Sequence, residues 1–239
     1  MKYLVIVAHP DDEVLSMGGT IKKLTKIGND VKIVFMATGI FARRSPNYSN
    51  SVEYSQDEKM LDLMKKQVEK LQKDAKNATR ILGVKDIEFE NFPDNELDKI
   101  TNLELTKKIE RLINDYKPQV VFTHTQHDIN VDHRSLYYAT ITATRPTKIN
   151  NVKEVFSFEV PSSSEWLFSS TFTPNVFVDI SKELGVKLRA LRAYKNEIRT
   201  YPHPRSVKAL EIISKRWGTV SGFSAAEAFH LVRQLRDKF

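Results

Sequence analysis

Residues 1–24 read MKYLVIVAHPDDEVLSMGGTIKKL, and the fold is decided inside them. The run YLVIV is continuously apolar, without the alternation of a strand that keeps one face in water. It falls well short of the ~20 apolar residues that a membrane span needs. With one lysine before it and no small-residue cleavage site after it, it reads as a first strand and not as a secretory leader. It ends at His9-Pro10 and three acids, Asp11, Asp12 and Glu13, after which VLSMGGTIKKLTKIG has helical spacing and closes at Gly28. A strand buried on both faces that feeds straight into a helix opens a parallel α/β sheet.

The same unit recurs. DVKIVFMAT is a second apolar strand, GIFARRSPNYSNS a polar loop, and a helical stretch runs from about Glu53 to Leu82 before Gly83. DIEFENF follows as a third strand, then the turn FPDNELD and the amphipathic LELTKKIERLINDY. Pro118 separates that helix from the fourth strand, QVVFTH, and a further helix begins near Asp132. Continuous strands alternating with helices predict a Rossmann-like three-layer α/β/α fold with a mostly parallel sheet. After residue 150, KEVFSFEV and NVFVDI read as strands. ELGVKLRALRAY, SVKALEIISKR and SAAEAFHLVRQL read as helices. No linker, repeat or low-complexity segment interrupts the chain. The expectation is one domain over 1–239, a core of 1–150 completed by 151–239.

Composition narrows the function classes. Of 239 residues 41% are hydrophobic and 28% charged, which suits a globular protein with a sizeable core. The chain has no cysteine, so disulfides and thiolate metal sites are excluded and any metal must sit on His, Asp or Glu. The cytoplasm is the simplest compartment on that reading. The excess of 37 Lys+Arg over 30 Asp+Glu gives a charge of +7, but the lysines are interleaved with acids along helical stretches. They make a solvated surface rather than a nucleic-acid footprint.

Ligands in open parallel sheets bind beyond the carboxyl ends of the strands. Two polar clusters fall there. His9, Asp11, Asp12 and Glu13 follow strand one, and His124, His127, Asp128, Asn130, Asp132 and His133 follow strand four. Four of the six histidines therefore gather at two strand ends. Each cluster has a plain structural explanation by itself. Acids after Pro10 complement a helix dipole, and Asp132 would cap the next helix. Their coincidence favours a metal site, in which His and carboxylate ligands leave a position open for water. A further carboxylate beside it can move protons.

These residues carry a resemblance. AHPDDE after an N-terminal strand is similar to the signature of the PIG-L/LmbE-like family of metal-dependent N-deacetylases. It extends over nearly the whole chain through FPDNELD, PQVVFTH, DINVDHR with ATRP, PHPRS and GTVSGFSAAEAF. The last three resemble the family's sugar-biosynthesis members. The resemblance implies hydrolysis of an N-acetyl group from an amino sugar or sugar conjugate. It makes His9, Asp12 and His133 the metal ligands, for Zn²⁺ with Fe²⁺ or another divalent ion compatible. It makes Asp11 the general base and Asp132 an acid that orients neighbouring polar groups.

Two departures stand out. Many relatives have a histidine where this chain has Asn130, which can donate to an oxyanion but cannot carry a proton. The leaving amine would then be protonated by Asp11 or His127. An arginine that some relatives place before the LG falls here at Leu71, so Arg43 or Arg44 would hold substrate instead. His203, like Arg205 in YPHPRS, faces either substrate or solvent. Trp166 could stack on a sugar, and Tyr137, Tyr138 and FSF read as core. The expected partner is a small N-acetylated sugar, and a homo-oligomer is compatible with the sequence. Two rival readings are a metal-dependent phosphoesterase and a non-catalytic sugar- or nucleotide-binding module. The first would want more carboxylates; the second lacks a G-x-G-x-x-G after strand one.

Overall fold

The computed structural model describes residues 1–40, 58–147 and 151–236. In chain order the elements are β1 (Lys2–Val7), α1 (Asp12–Lys26), β2 (Asp30–Ala37), α2 (Glu58–Leu82), β3 (Asp86–Phe92), α3 (Asn102–Tyr116), β4 (Val120–His124) and α4 (Val131–Ala143). There follow β5 (Glu154–Phe158), β6 (Val176–Asp179), α5 (Leu184–Leu191), α6 (Val207–Ser221) and β7 (Ala226–Gln234). No described helix is long and apolar enough to cross a membrane.

The strands form one seven-stranded sheet in the order β3-β2-β1-β4-β5-β7-β6. The first five are parallel, and β7 runs antiparallel between β5 and β6. Successive β1 residues serve opposite cores. Val5 and Val7 pack with Val14, Leu15 and Ile21 of α1, Leu71 and Leu82 of α2 and Leu188 of α5. Leu4 and Ile6 pack with Ile109 and Leu112 of α3 and Leu136 of α4. The two-residue period of a strand thus requires a helical layer on each face, the expected three-layer arrangement.

Helix ends follow local chemistry. The Thr101 hydroxyl accepts from Glu104 N at the start of α3, and Ser206 Oγ from Ala209 N at the start of α6. Gly222 closes α6 with φ 79°, the left-handed turn that glycine takes without strain.

The last segment corrects the sequence reading. SAAEAFHLVRQL contains β7, not a helix. Its alternation decides this: Ala226 and Ala228 pack on Trp217, while Phe229 meets the rings of Phe122 and Phe156 on the other face. Alanine, leucine and glutamate favour helix locally, but pairing on both edges overrides that preference. Tyr138 is a second correction. It is 54% exposed on α4, whereas Phe158 of FSF is buried.

Candidate active site

The strand order reverses between β1 and β4, the point beyond whose carboxyl ends open parallel sheets bind their ligands. Tyr3 pairs with Val120 and Val5 with Phe122, so the two polar clusters emerge side by side. Ala8 N donates to His124 Nε2 at 2.8 Å, directly joining the two strand ends.

His9, Asp12 and His133 are all buried. Each offers one ligand atom, and these atoms lie within 4.8 Å of one another. His9 Nδ1 is 3.5 Å and His133 Nε2 3.4 Å from Asp12 Oδ2. Asp12 Oδ1 and His133 Nε2 are buried without a hydrogen-bond partner, which a polar interior tolerates poorly unless a ligand completes it. The three residues therefore fit a divalent metal, as two imidazoles and a carboxylate.

Carboxylates behind the imidazoles fix which nitrogen faces inward. His133 Nδ1 donates to Asp128 Oδ2 at 2.9 Å, leaving Nε2 for the pocket. His9 Nε2 lies 3.0 Å from Asp132 Oδ2 and 3.1 Å from Asp94 Oδ1, leaving Nδ1. An ionised carboxylate only accepts, so the facing nitrogen must carry the proton. Asp128 is held by the hydroxyls of Ser163 and Ser164, each at 2.8 Å. Asp132 accepts from Asn95 N and Leu97 N at 2.7 and 2.9 Å. Burial opposes the charge on each ligand. Even so, the imidazoles of His133, His9 and His124 hold the Asp12 carboxyl well below its usual range. Against the same opposition from burial, Asp12 and Asp128 push His133 up to about 9.

The two adjacent acids diverge. Asp12 Oδ2 accepts from His9 N at 2.9 Å. Asp11 instead faces Arg205, with Nη1 at 3.2 Å from Oδ2. Burial pushes the Asp11 carboxyl up to about 7, Arg205 working against the shift and the Asp12 charge adding to it. Glu13 does more than begin a helix. Its Oε2 accepts from Asp11 N at 3.1 Å and its Oε1 from the Tyr194 hydroxyl at 2.5 Å.

Asn130, not Asp132, caps α4: its Oδ1 accepts from Asp132 N at 2.8 Å. His127 Nδ1 is 2.6 Å from Ser170 Oγ, on the loop after β5. His203 Nδ1 accepts from Arg205 N at 3.1 Å, and its ring packs T-shaped with that of Trp166, centroids 5.7 Å apart. Arg43 and Arg44 lie outside the described residues. Leu71, where an arginine was sought, is buried in the core. The residues that sequence reasoning left without a role are Asp94, Asp128, Ser163, Ser164 and Tyr194, while Arg205, expected to face substrate or solvent, meets Asp11. For Asp94 and Asp128 the signal was present, as acids in FPDNELD and HTQHDINVDHRS.

Residues 4–144 match the family model of the GlcNAc-PI de-N-acetylases, PIG-L. Over 237 residues the chain is 30% identical to diacetylchitobiose deacetylase of Thermococcus kodakarensis, covering 97% of this chain and 83% of that protein. It is 26% identical over 195 residues to a probable N-acetyl-alpha-D-glucosaminyl L-malate deacetylase 2 of Bacillus cereus, with 81% and 82% covered. The solved structure of N,N'-diacetylchitobiose deacetylase from Pyrococcus horikoshii shares the fold, with TM-score 0.74 at 24% identity and coverage of 97% and 84%. A family match that takes in both strand-end clusters, with a relative aligned along almost the whole chain, places this protein in the PIG-L family of de-N-acetylases.

Proposed function

We propose that this protein is a metal-dependent hydrolase that removes the N-acetyl group from an N-acetylated amino sugar or sugar conjugate. One observation carries the reading: beside three convergent ligand atoms stands a second buried aspartate, Asp11, whose carboxylate accepts no hydrogen bond among the described residues. The named activities of the relatives, on diacetylchitobiose and on an N-acetylglucosaminyl malate, support the substrate class.

His9, Asp12 and His133 would hold the metal, for which Zn²⁺ is our assignment. A divalent ion held there would polarise the acetyl carbonyl and lower the pKa of water, supplying a nucleophile near neutral pH. Asp11 takes the proton of the attacking water as the new C–O bond forms, and returns it to the nitrogen as the C–N bond breaks. Acetate and the free amine leave. Asn130 Nδ2 donates to the oxygen that gains charge in the tetrahedral adduct. Asp132 and Asp128 hold the two imidazoles in their tautomers. His127 and His203 flank the substrate, and Arg43 and Arg44 are assigned to its outer part.

The test is metal analysis together with acetate release from N-acetylhexosamines, free, lipid-linked and nucleotide-linked, for the wild type and Asp11→Asn. Bound divalent metal with acetate release lost in D11N is the expected result. Protein that binds no divalent ion, or full activity in D11N, refutes the reading.

A further inference from the structure

We infer that the segment 194–205, beyond the stretch matched by the family model, completes the active site, with Arg205 and Tyr194 as positioning residues for Asp11. This rests on the reading of Asp11 as the general base.

Asp11 sits in an unusual backbone state. Its φ is 112° and ψ −26°, a left-handed conformation that residues with a Cβ seldom adopt. Such a state persists only where the surroundings over-determine it. From the backbone side, Glu13 Oε2 accepts Asp11 N at 3.1 Å, while Asp11 O accepts from Val14 N and Leu15 N. Glu13 has three torsions between its backbone and that contact, and its other oxygen is held by the Tyr194 hydroxyl at 2.5 Å. Tyr194 is itself fully buried, so its hydroxyl is a fixed donor.

The carboxylate side is held differently. Both Asp11 oxygens are buried without a hydrogen bond, and among the described residues its one ion pair is to Arg205, Nη1 to Oδ2 at 3.2 Å. Arg205 cannot swing freely. Its Nε donates to Ser162 Oγ at 2.8 Å, its backbone N to His203 Nδ1 at 3.1 Å, and Nη1 also lies 3.6 Å from Glu197 Oε2. The guanidinium is thus locked before it meets the acid. A general base must reach its proton within about 2.6–3.2 Å, and a misplacement of about 1 Å can cost about 100-fold in rate. Residues 194–205 supply the contacts that hold Asp11 within that margin, from both its backbone and its carboxylate.

The experiment compares full-length wild type, R205M, R205K, Y194F, D11N and D11N/R205M for bound metal, unfolding midpoint, kcat and KM. R205M should keep its metal and a KM within about 3-fold, while kcat falls about 100-fold. R205K should recover part of that loss, and Y194F should lose about 10-fold in kcat. D11N/R205M should be no slower than D11N, because residues acting as one unit are not additive. Wild-type kcat in R205M, a raised KM at unchanged kcat, or a further loss in the double variant overturns the inference. Should R205M not fold, R205K carries the test by the same split, since it keeps the charge and loses the fork. D11N judged alone decides whether Asp11 is the base, so failure of that reading is separable from failure of its positioning.

Discussion

The Asp128 carboxylate holds the His133 imidazole from behind, Oδ2 to Nδ1 at 2.9 Å, and so turns Nε2 toward Asp12. Asp128→Asn keeps the size but can present an amide hydrogen to a ring nitrogen that is itself a donor. Metal affinity should fall about 10–100-fold, read by competition with a chromogenic chelator. Unchanged affinity would remove Asp128 from the metal centre. The Ser163 and Ser164 hydroxyls at 2.8 Å make Asp128 itself rigid, so S163A/S164A should show a weaker form of the same loss.

Asn130 joins two roles that can be separated. Its Oδ1 caps α4 through Asp132 N at 2.8 Å, and its Nδ2 is the group we assign to the oxyanion. Asn130→Ala should lose about 1 kcal/mol of stability with the cap. Asn130→Asp keeps the cap acceptor and so keeps the stability, yet kcat should fall about 100-fold for want of the donor. Equal kcat in N130D and wild type would leave Asn130 only as a cap.

Trp166 is 43% exposed and makes a T-shaped ring contact with His203, whose neighbour Arg205 meets Asp11. We assign this half-exposed indole as a stacking surface for the apolar face of a sugar. Trp166→Ala should raise KM about 10-fold at nearly unchanged kcat, the mark of binding energy shared by ground and transition states. A fall in kcat alone would place the ring in a different role.

How much of this was legible depended on how local the cause was. YLVIVAHPDDE gave away the strand because continuous burial is written in consecutive residues, whereas the choice of His9, Asp12 and His133 as ligands came from the family resemblance. The pairing of the two clusters followed from topology alone, since β1 and β4 adjoin at the reversal of strand order. Arg205 and Tyr194 could not be placed on Asp11 that way. Their approach is set by the packing of α5 and α6, and nothing in PHPRS or RAYKNE encodes which carboxylate they meet. The helical misreading of β7 has the same origin: its neighbours, β5 and β6, are tertiary partners, and only they make Ala226–Gln234 a strand.

Glu159, the residue after β5, gives stability a pH dependence. Burial pushes its carboxyl up to about 7 from 4.5, against the Trp217 indole that donates to Oε1 at 2.7 Å. The folded state therefore holds the proton more tightly than the unfolded chain. Its stabilising contribution is complete below the unfolded value and disappears as pH rises through about 7. Glu159→Gln still accepts from Trp217 but cannot ionise. Its unfolding midpoint should match wild type near about pH 4.5 and exceed it near about pH 8, by about 2–4 °C for each kcal/mol relieved. The same difference at both pH values would refute this.

Lys187 and Glu227 form a buried ion pair, Nζ to Oε1 at 2.6 Å, both 2% exposed, and its place in the fold explains why it is tolerated. Helix α1 breaks at Met17, whose φ of −140° is not helical. Glu227 accepts from Gly19 N and Thr20 N at 2.9 and 2.6 Å, so its carboxylate caps the second half of α1 as Lys187 balances the charge. Gly19 is required there, since a Cβ would come within 2.7 Å of the Ile180 side chain. Lys187→Met leaves a buried carboxylate uncompensated and should cost about 3–5 kcal/mol in urea unfolding. Lys187→Met with Glu227→Gln removes both charges and should cost less than Lys187→Met alone, because the remaining amide still offers one acceptor to the helix. A double variant less stable than Lys187→Met would mean that the carboxylate's hold on the α1 break outweighs the cost of burying its charge.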